Sequence, residues 1–557
     1  MVNELYKSES HNKRILYNLI RKGRRSKLPT NANYLILYAF LYKYLSDNLK
    51  NHLKEIVGFD IKECYNDPQE RESLREWALD DLGYFIESYD AYIDQVVDET
   101  YADDLFGLSF FSSLKDNIVF SKDNPAQKYF DEIIAMVDNQ KKFYGLTHDA
   151  DVSLLISAYL FSISKLDILE QEFTYVQVYN QLISSRQLMI SSTPEYISNI
   201  LARIVSSQKN DVLNAYDPFL KDASILFNLS QQIDISNIYG KEKNDLNYFY
   251  SLIKTFIVGF DFRNVFFFKQ NAIESMSVDG NSFDVIVSKI PARFRDNSVL
   301  RKQSLEIPKN SKTNVFKEKL LSNFDLNELR RDEEVIEALN VLEKKMAKIE
   351  KNDVVHFDGE YESLSESDFL FVINMVNSLK DDGIMAISVS QNFLFKNSLT
   401  TLRKFLTHEN NYIDAIISLP EELDRSIRPE VIIVFKKNKT NKDVLFIDLS
   451  SKFNAVPSKN AIRGTFRRNL ILANDTLNKL VEVYDKRQTI DKFSNLISLD
   501  ELEKNNFNLT VSRYVDTYGG EFVRLEDLVK EKHENDLRIR KLNKKIGLMM
   551  DDLNIKL

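Results

Sequence analysis

The chain has 557 residues and is poor in the residue types that staple or punctuate a fold: one cysteine, 14 glycines and ten prolines. A single thiol, Cys64, excludes internal disulfides and any thiolate zinc cluster. The six histidines (His11, His52, His148, His356, His408, His533) are scattered without ligand spacing, so no structural metal is expected. No two glycines stand two residues apart, so the chain contains no G-x-G and lacks the usual glycine-rich nucleotide loop. The prolines all stand singly. No apolar run approaches the roughly 20 residues that a membrane span needs. The most apolar early stretch, YLILYAFLYKYL from Tyr34, contains Lys43 and has no small-residue cleavage site after it. It reads as a buried helix, and a cytoplasmic protein without membrane contact is expected.

With 43% hydrophobic and 28% charged residues in 65.0 kDa, the composition is that of a globular protein too long for one ordinary core, so two or three domains are expected. A formal net charge of −9 argues against indiscriminate nucleic-acid binding, which needs a surface dominated by Lys and Arg. Any DNA contact must be local. Lys13, Arg14, Arg21, Lys22, Arg24, Arg25 and Lys27 form one basic stretch without acids. Arg293, Arg295, Arg301, Lys302, Lys309, Lys312 and Lys317 form a looser one. Each suits either phosphate contact or a solvated face; Arg21, Arg24, Arg25, Arg293 and Arg295 are the DNA-binding candidates.

Periodicity divides the chain in three. Up to about residue 165 apolar residues recur at three- and four-residue spacing, as in ILYNLI and LLISAYLFSISKL, predicting a helical N-terminal domain. From 166 to 490 short β-rich runs alternate with helical stretches: VLNAYD, ISNIYG, NVFFFK, FDVIVS, GIMAISVS, YIDAIISL, EVIIVFKK and DVLFIDL. This predicts an α/β domain with a mostly parallel sheet. The last two runs are separated by NKTNK, which suits a hairpin at one edge. Between about 294 and 353 lies a charged insertion that reads as a long exposed helix. From 491 to 557 the chain reads as a helical, coiled-coil-like segment. Within it Leu525, Leu528, Lys532, Asn535, Ile539, Leu542, Ile546, Met549 and Leu553 sit alternately three and four residues apart, a seam that calls for a partner helix.

From Phe283 the segments become specific in their order: FDVIVSKIP, DFLFVINMVNSLKDDGIMAISVSQNFLF, LRKFLTHENNYIDAIISLPEEL, RPEVIIVFKKNKTNKDVLFIDLS and NFNLTVSRYVD. This succession, with DLGYFIE at Asp81 to Glu87, resembles the modification subunits of Type I restriction-modification enzymes over most of the chain. The resemblance implies a helical domain, a Rossmann-like methyltransferase domain using S-adenosylmethionine, and C-terminal helices that grip a specificity subunit. It also implies a second methyltransferase-like or restriction subunit and double-stranded DNA as partners.

The chemistry motifs depart from the family's pattern. Where the family has Asp-Pro and a loop with two glycines beside the cofactor, Asp217 and Pro218 remain but Lys221 and Ala223 hold the glycine places. Side chains there fill ligand space and make any left-handed backbone costly. Glu242 matches the acid that meets the ribose. Asn271 stands where an Asp meets the adenine, and its amide oxygen can still accept. Thr193 and Pro194 survive from an aromatic-Thr-Pro loop whose aromatic is Ser192. The family's Asn/Asp-Pro-Pro-aromatic motif, which accepts the target amine and stacks the flipped base, is matched by Lys289, Ile290, Pro291 and Ala292. Lysine has no acceptor, and its charge opposes the cofactor's sulfonium. Alanine cannot stack, which forfeits about 1 to 3 kcal/mol of base binding. With every proline isolated, a shifted register cannot rebuild the motif.

The expectation is therefore a catalytically inactive adenine-methyltransferase-like subunit with no cofactor, binding DNA or partner subunits in a restriction-like or phage-defence complex. The alternatives are an active S-adenosylmethionine-dependent adenine-N6 methyltransferase with diverged motifs, and a protein-only scaffold.

Overall fold

The computed structural model describes residues 32–58, 61–93, 95, 114–144, 163–164, 193–270, 272, 282–290, 372, 375–419, 430–450, 454–456, 469–471, 473–516 and 525–552. The charged insertion, Arg21, Arg24, Arg25, Asn271, Pro291, Ala292, Arg293 and Arg295 lie outside the described residues.

The N-terminal part contains α1 (Ala32–Val57), α2 (Ile61–Asn66), α3 (Pro68–Asp81) and α4 (Ala126–Tyr144). The apolar stretch expected to be a buried helix is the start of α1, where every residue from Tyr34 to Tyr42 is buried. No helix among the described residues is long and apolar enough to cross a membrane. The start of α3 is set locally: Asp67 Oδ1 accepts from the amides of Gln69 and Glu70, and Pro68 sits where a missing N–H is harmless. Between α3 and α4 an antiparallel pair, β1 (Tyr84–Ile86) and β2 (Ile118–Phe120), interrupts the helices. Three residues are too few for alternation to show.

Nine strands form the central sheet: β3 (Asp211–Asp217), β4 (Asp234–Lys241), β5 (Val265–Phe268), β6 (Phe283–Lys289), β7 (Leu379–Ser390), β8 (Ile413–Ser418), β9 (Glu430–Lys436), β10 (Val444–Asp448) and, after the small pair β11 (Asn454–Val456) and β12 (Asn469–Ile471), β13 (Ser494–Ile497). Their order is β13-β10-β8-β9-β7-β6-β3-β4-β5. Strands β3 to β7 pair in parallel, as do β8 and β10. Strand β9 is antiparallel to both neighbours, and β13 is antiparallel to β10.

The edge hairpin expected from NKTNK is not formed. Strand β9 lies inside the sheet between β7 and β8, and the link after it passes β8 to start β10 on the far side. The reason is burial: six of the seven β9 residues are buried, so the strand needs neighbours on both edges and cover on both faces. Passing one strand means about 10 Å, within reach of a short link. Asn411 Nδ2 holds it by donating to the carbonyls of Lys439 (3.3 Å) and Asn441 (2.8 Å).

Alternate strand residues feed two cores. One face carries α1, α4 and the helices α5 (Glu195–Ser206), α6 (Ser224–Ser230), α7 (Asp245–Val258) and α10 (Asn474–Lys486). The other is covered by α8 (Asn392–Phe395), α9 (Thr400–Lys404), α11 (Leu499–Lys504) and residues 507–515. A C-terminal segment starting at 491 therefore cuts through the sheet. Residues 494–497 are its edge strand, and Leu502, Phe507 and Leu509 fill its second core. The separate element is α12 (Leu525–Asp552). At the opposite edge, the Tyr129 hydroxyl donates to the β5 carbonyl of Val265 (2.6 Å), which takes up one of that edge's open pairing sites.

Candidate functional site

Of the sequence-predicted site residues that are described, Asp217, Lys221, Ala223, Glu242 and Lys289 lie where β3, β4 and β6 end, the end of a parallel sheet at which ligands characteristically bind. Asp217 closes β3 and is fully buried. Its Oδ1 accepts from Ser288 Oγ (2.7 Å) on β6 and from the amide of Phe219 (2.9 Å), while Oδ2 has no partner. Burial pushes its carboxyl up to about 7, against the pull of those two hydrogen bonds and of Lys221.

The loop that follows turns through two left-handed residues, Lys221 (φ 49°) and Ala223 (φ 59°), the positions where the sequence lacks glycine. An L side chain in that conformation costs roughly 1–2 kcal/mol. The loop is nevertheless tightly held. The Lys221 amide donates to Glu242 Oε2 (2.9 Å), and the Leu220 amide donates to the Lys241 carbonyl (2.9 Å). Leu220 also packs so closely on Gly240 that a Cβ there would come within 2.6 Å of its Cδ1. The other oxygen of Glu242 accepts from the Asn244 amide (2.7 Å). Both oxygens of this acid are thus engaged by backbone, and burial raises its pKa.

The Lys221 side chain is 5% exposed. Its ammonium falls to about 8, first through burial and then through repulsion by Lys289, while Glu430, Asp217 and Asp222 act in the opposite sense. Lys221 therefore links the loop after β3 electrostatically to the end of β6. There Lys289 Nζ lies 2.5 Å from both carboxylate oxygens of Glu430, the first residue of β9. Ser388 Oγ on the intervening β7 donates to the same carboxylate (2.9 Å). Ile290 is buried in the second core.

A second buried pair closes the other side: Lys254 Nζ is 2.7 Å from Ser224 Oγ and 3.6 Å from an Asp222 oxygen. Thr193 is buried and Pro194 precedes α5, whose first residue, Glu195, acts on Lys254 electrostatically. No hydrogen bond joins Thr193 to Asp217, Glu242 or Lys289 among the described contacts.

The family model for N-6 DNA Methylase matches residues 338–521. The Type I restriction enzyme MpnII methylase subunit of Mycoplasma pneumoniae is 22% identical over 575 aligned positions, covering 94% of this chain and 90% of that protein. The MjaVII methylase subunit of Methanocaldococcus jannaschii is 31% identical over 154 positions, covering 26% of this chain and 24% of its own. A crystal structure of the type I restriction-modification methyltransferase subunit of Streptococcus thermophilus superposes with a TM-score of 0.67 at 20% identity, over 91% of this chain and 100% of that one. The chain is a Type I restriction-enzyme methylase-subunit homologue.

In this methylase-subunit homologue, sequence reasoning located Asp217, Lys221, Ala223, Glu242 and Lys289 but missed Glu430, Ser388, Ser288 and Lys254, which complete their environments. A signal for Glu430 exists. It is a lone acid opening the apolar run EVIIVF, and an acid entering a buried strand needs a cation or a proton.

Proposed function

We propose that this methylase-subunit homologue is a non-catalytic, DNA adenine-methyltransferase-like subunit that contributes DNA contact and subunit contact rather than methyl transfer. The observation that carries the reading is the Lys289–Glu430 pair. At the position where an adenine methyltransferase presents an acceptor to the target amine, this chain presents an ammonium already bound to a carboxylate. The residues present also do not fit S-adenosylmethionine. The glycine places hold Lys221 and Ala223, the buried Lys221 ammonium is repelled by Lys289, and Glu242 has both oxygens occupied by backbone amides.

Partner contact is assigned to α12, whose described side chains from Lys532 to Lys545 are all exposed. They include Leu537, Ile539 and Leu542 at 45–53% exposure. By the resemblance, a specificity-type subunit is the partner for the seam through Ile539 and Leu542, and double-stranded DNA is the nucleic acid.

Titration calorimetry of the purified chain with S-adenosylmethionine tests the reading. No heat of binding is expected, and no labelled methyl group should enter DNA when a specificity subunit is supplied. Binding together with methyl incorporation overturns it.

A further inference from the structure

Helix α12 carries a second feature, distinct from its apolar seam. Between Asp536 and Asp551 there is no acid, and Arg538, Arg540, Lys541, Lys544 and Lys545 place five cations within eight residues of a chain whose net charge is −9. All five are exposed, and none is ion-paired with a described residue. At 3.6 residues per turn they occupy an arc of about 160° that also holds Leu537, with Ile539 opposite its centre and Leu542 just beyond its edge at Arg538.

Two ordinary explanations fall short. The helix dipole favours cations only in the last turn, and the helix runs on to Asp552. Surface pairing along the helix accounts for only two of the five: Glu534 and Asp536 stand four residues before Arg538 and Arg540. Lys541, Lys544 and Lys545 have no acid three or four residues away and face like charges there, Lys541 with Arg538, Lys544 and Lys545, and Lys544 with Arg540, and such pairs destabilise an isolated helix. The repulsion among these lysines has no partner along the helix, so the arc calls for an anion supplied from outside.

We propose that this basic arc binds the phosphate backbone of duplex DNA while the apolar seam through Ile539 and Leu542 takes a helix of the partner subunit. This rests on the DNA-binding reading above and adds the surface responsible. A rigid helix with two such faces can hold both occupants at once. The contact is sequence-independent because it reaches phosphates only.

The test uses the full chain and a random-sequence duplex, with binding measured over a range of salt concentrations. Replacing Arg540, Lys541 and Lys544 together by Gln is expected to weaken binding at low salt and to reduce the slope of log K against log salt by about 2 to 3, since each lost phosphate contact removes about 0.9. The seam variant Ile539→Ser/Leu542→Ser keeps every cation and is expected to leave the slope unchanged. An unchanged slope in the triple variant overturns the proposal but leaves DNA binding standing. No salt-dependent binding by the unsubstituted chain overturns both. If the triple variant instead loses sedimentation with phosphatidylglycerol vesicles and keeps its DNA slope, the arc belongs to a lipid surface and the proposal fails.

Discussion

Lys289 and Glu430 come from strands that are not neighbours, yet they meet across β7 with Nζ 2.5 Å from each carboxylate oxygen and Ser388 Oγ 2.9 Å from one of them. The side chains are 11% and 9% exposed. A pair this buried is a weak stabiliser as a whole and a strong destabiliser when broken, because the remaining charge has no partner. Glu430→Gln is expected to lower unfolding free energy by about 3 kcal/mol, whereas Lys289→Met/Glu430→Leu together should fall within about 1 kcal/mol of the parent. Urea denaturation of the three proteins decides, and equal losses in single and double variants would show that the pair is not coupled.

Asp217 makes stability depend on pH in a defined window. Its folded pKa of about 7 is raised above the ordinary carboxyl value of 3.8, so the folded chain holds a proton that the unfolded chain has released. The contribution is complete below about 3.8 and is lost as pH rises through about 7, at up to about 1.4 kcal/mol per pH unit. Asp217→Asn keeps an acceptor for Ser288 and Phe219 and cannot ionise. Its stability relative to the parent should therefore grow between pH 5 and pH 8. Lys221 has the opposite arm: lowered to about 8 from 10.5, it favours the folded state above 10.5 and loses that contribution as pH falls through 8. Lys221→Met should flatten the alkaline arm and leave the acid one. Denaturant midpoints taken across pH 4 to 10 separate the two.

Much of this arrangement is legible in the chain, and the exceptions have physical causes. The eight β-rich runs became strands because their apolar residues alternate into two covered faces. Asp217, Glu242 and Lys289 sit at strand ends, where the sheet gathers them. The pairing of β9 was illegible because NKTNK is as suited to skipping a strand as to turning back. Only the full burial of EVIIVF distinguishes the two. Glu430 was hidden for a related reason: it meets Lys289 over 141 residues of sequence, through a register that no local pattern encodes. The edge strand Ser494–Ile497 was read as helical because a four-residue strand barely shows a period.

The left-handed residues of the loop after β3 offer a gain in stability. Ala223 has φ 59° and immediately precedes α6, so it carries the penalty of an L residue in that region and offers no side-chain cap. Ala223→Gly removes the penalty and costs some unfolded-state entropy, for a net gain of about 0.5 to 1 kcal/mol. A thermal melt should show the midpoint rising. A fall would mean that the methyl group packs in the core well enough to outweigh the strain.

Arg403 ties the end of the sheet core to the chain that leads toward α12. It is 1% exposed and faces no carboxylate among the described residues; its guanidinium donates to the carbonyls of Phe507 (2.6 Å), Phe393 (3.1 Å) and Lys396 (2.8 Å) and to Thr400 Oγ1 (3.1 Å). Burial brings it down to about 10, so it stays charged at neutral pH. The turn it holds contains two further left-handed residues, Asn506 and Phe507, both at φ 51°, and beyond it the Leu509 amide donates to the Leu394 carbonyl (2.8 Å). Arg403→Met would leave three carbonyls without this donor and a strained turn without its clamp, a loss of about 3 kcal/mol. Because β6 to β9 do not depend on that clamp, hydrogen exchange should accelerate first at Leu509 and Tyr514 while the amides of Ile286, Ile387 and Ile433 stay protected. Uniform acceleration across all five amides would instead place residues 505–515 in the same cooperative unit as the sheet, with Arg403 stabilising the whole rather than this strap.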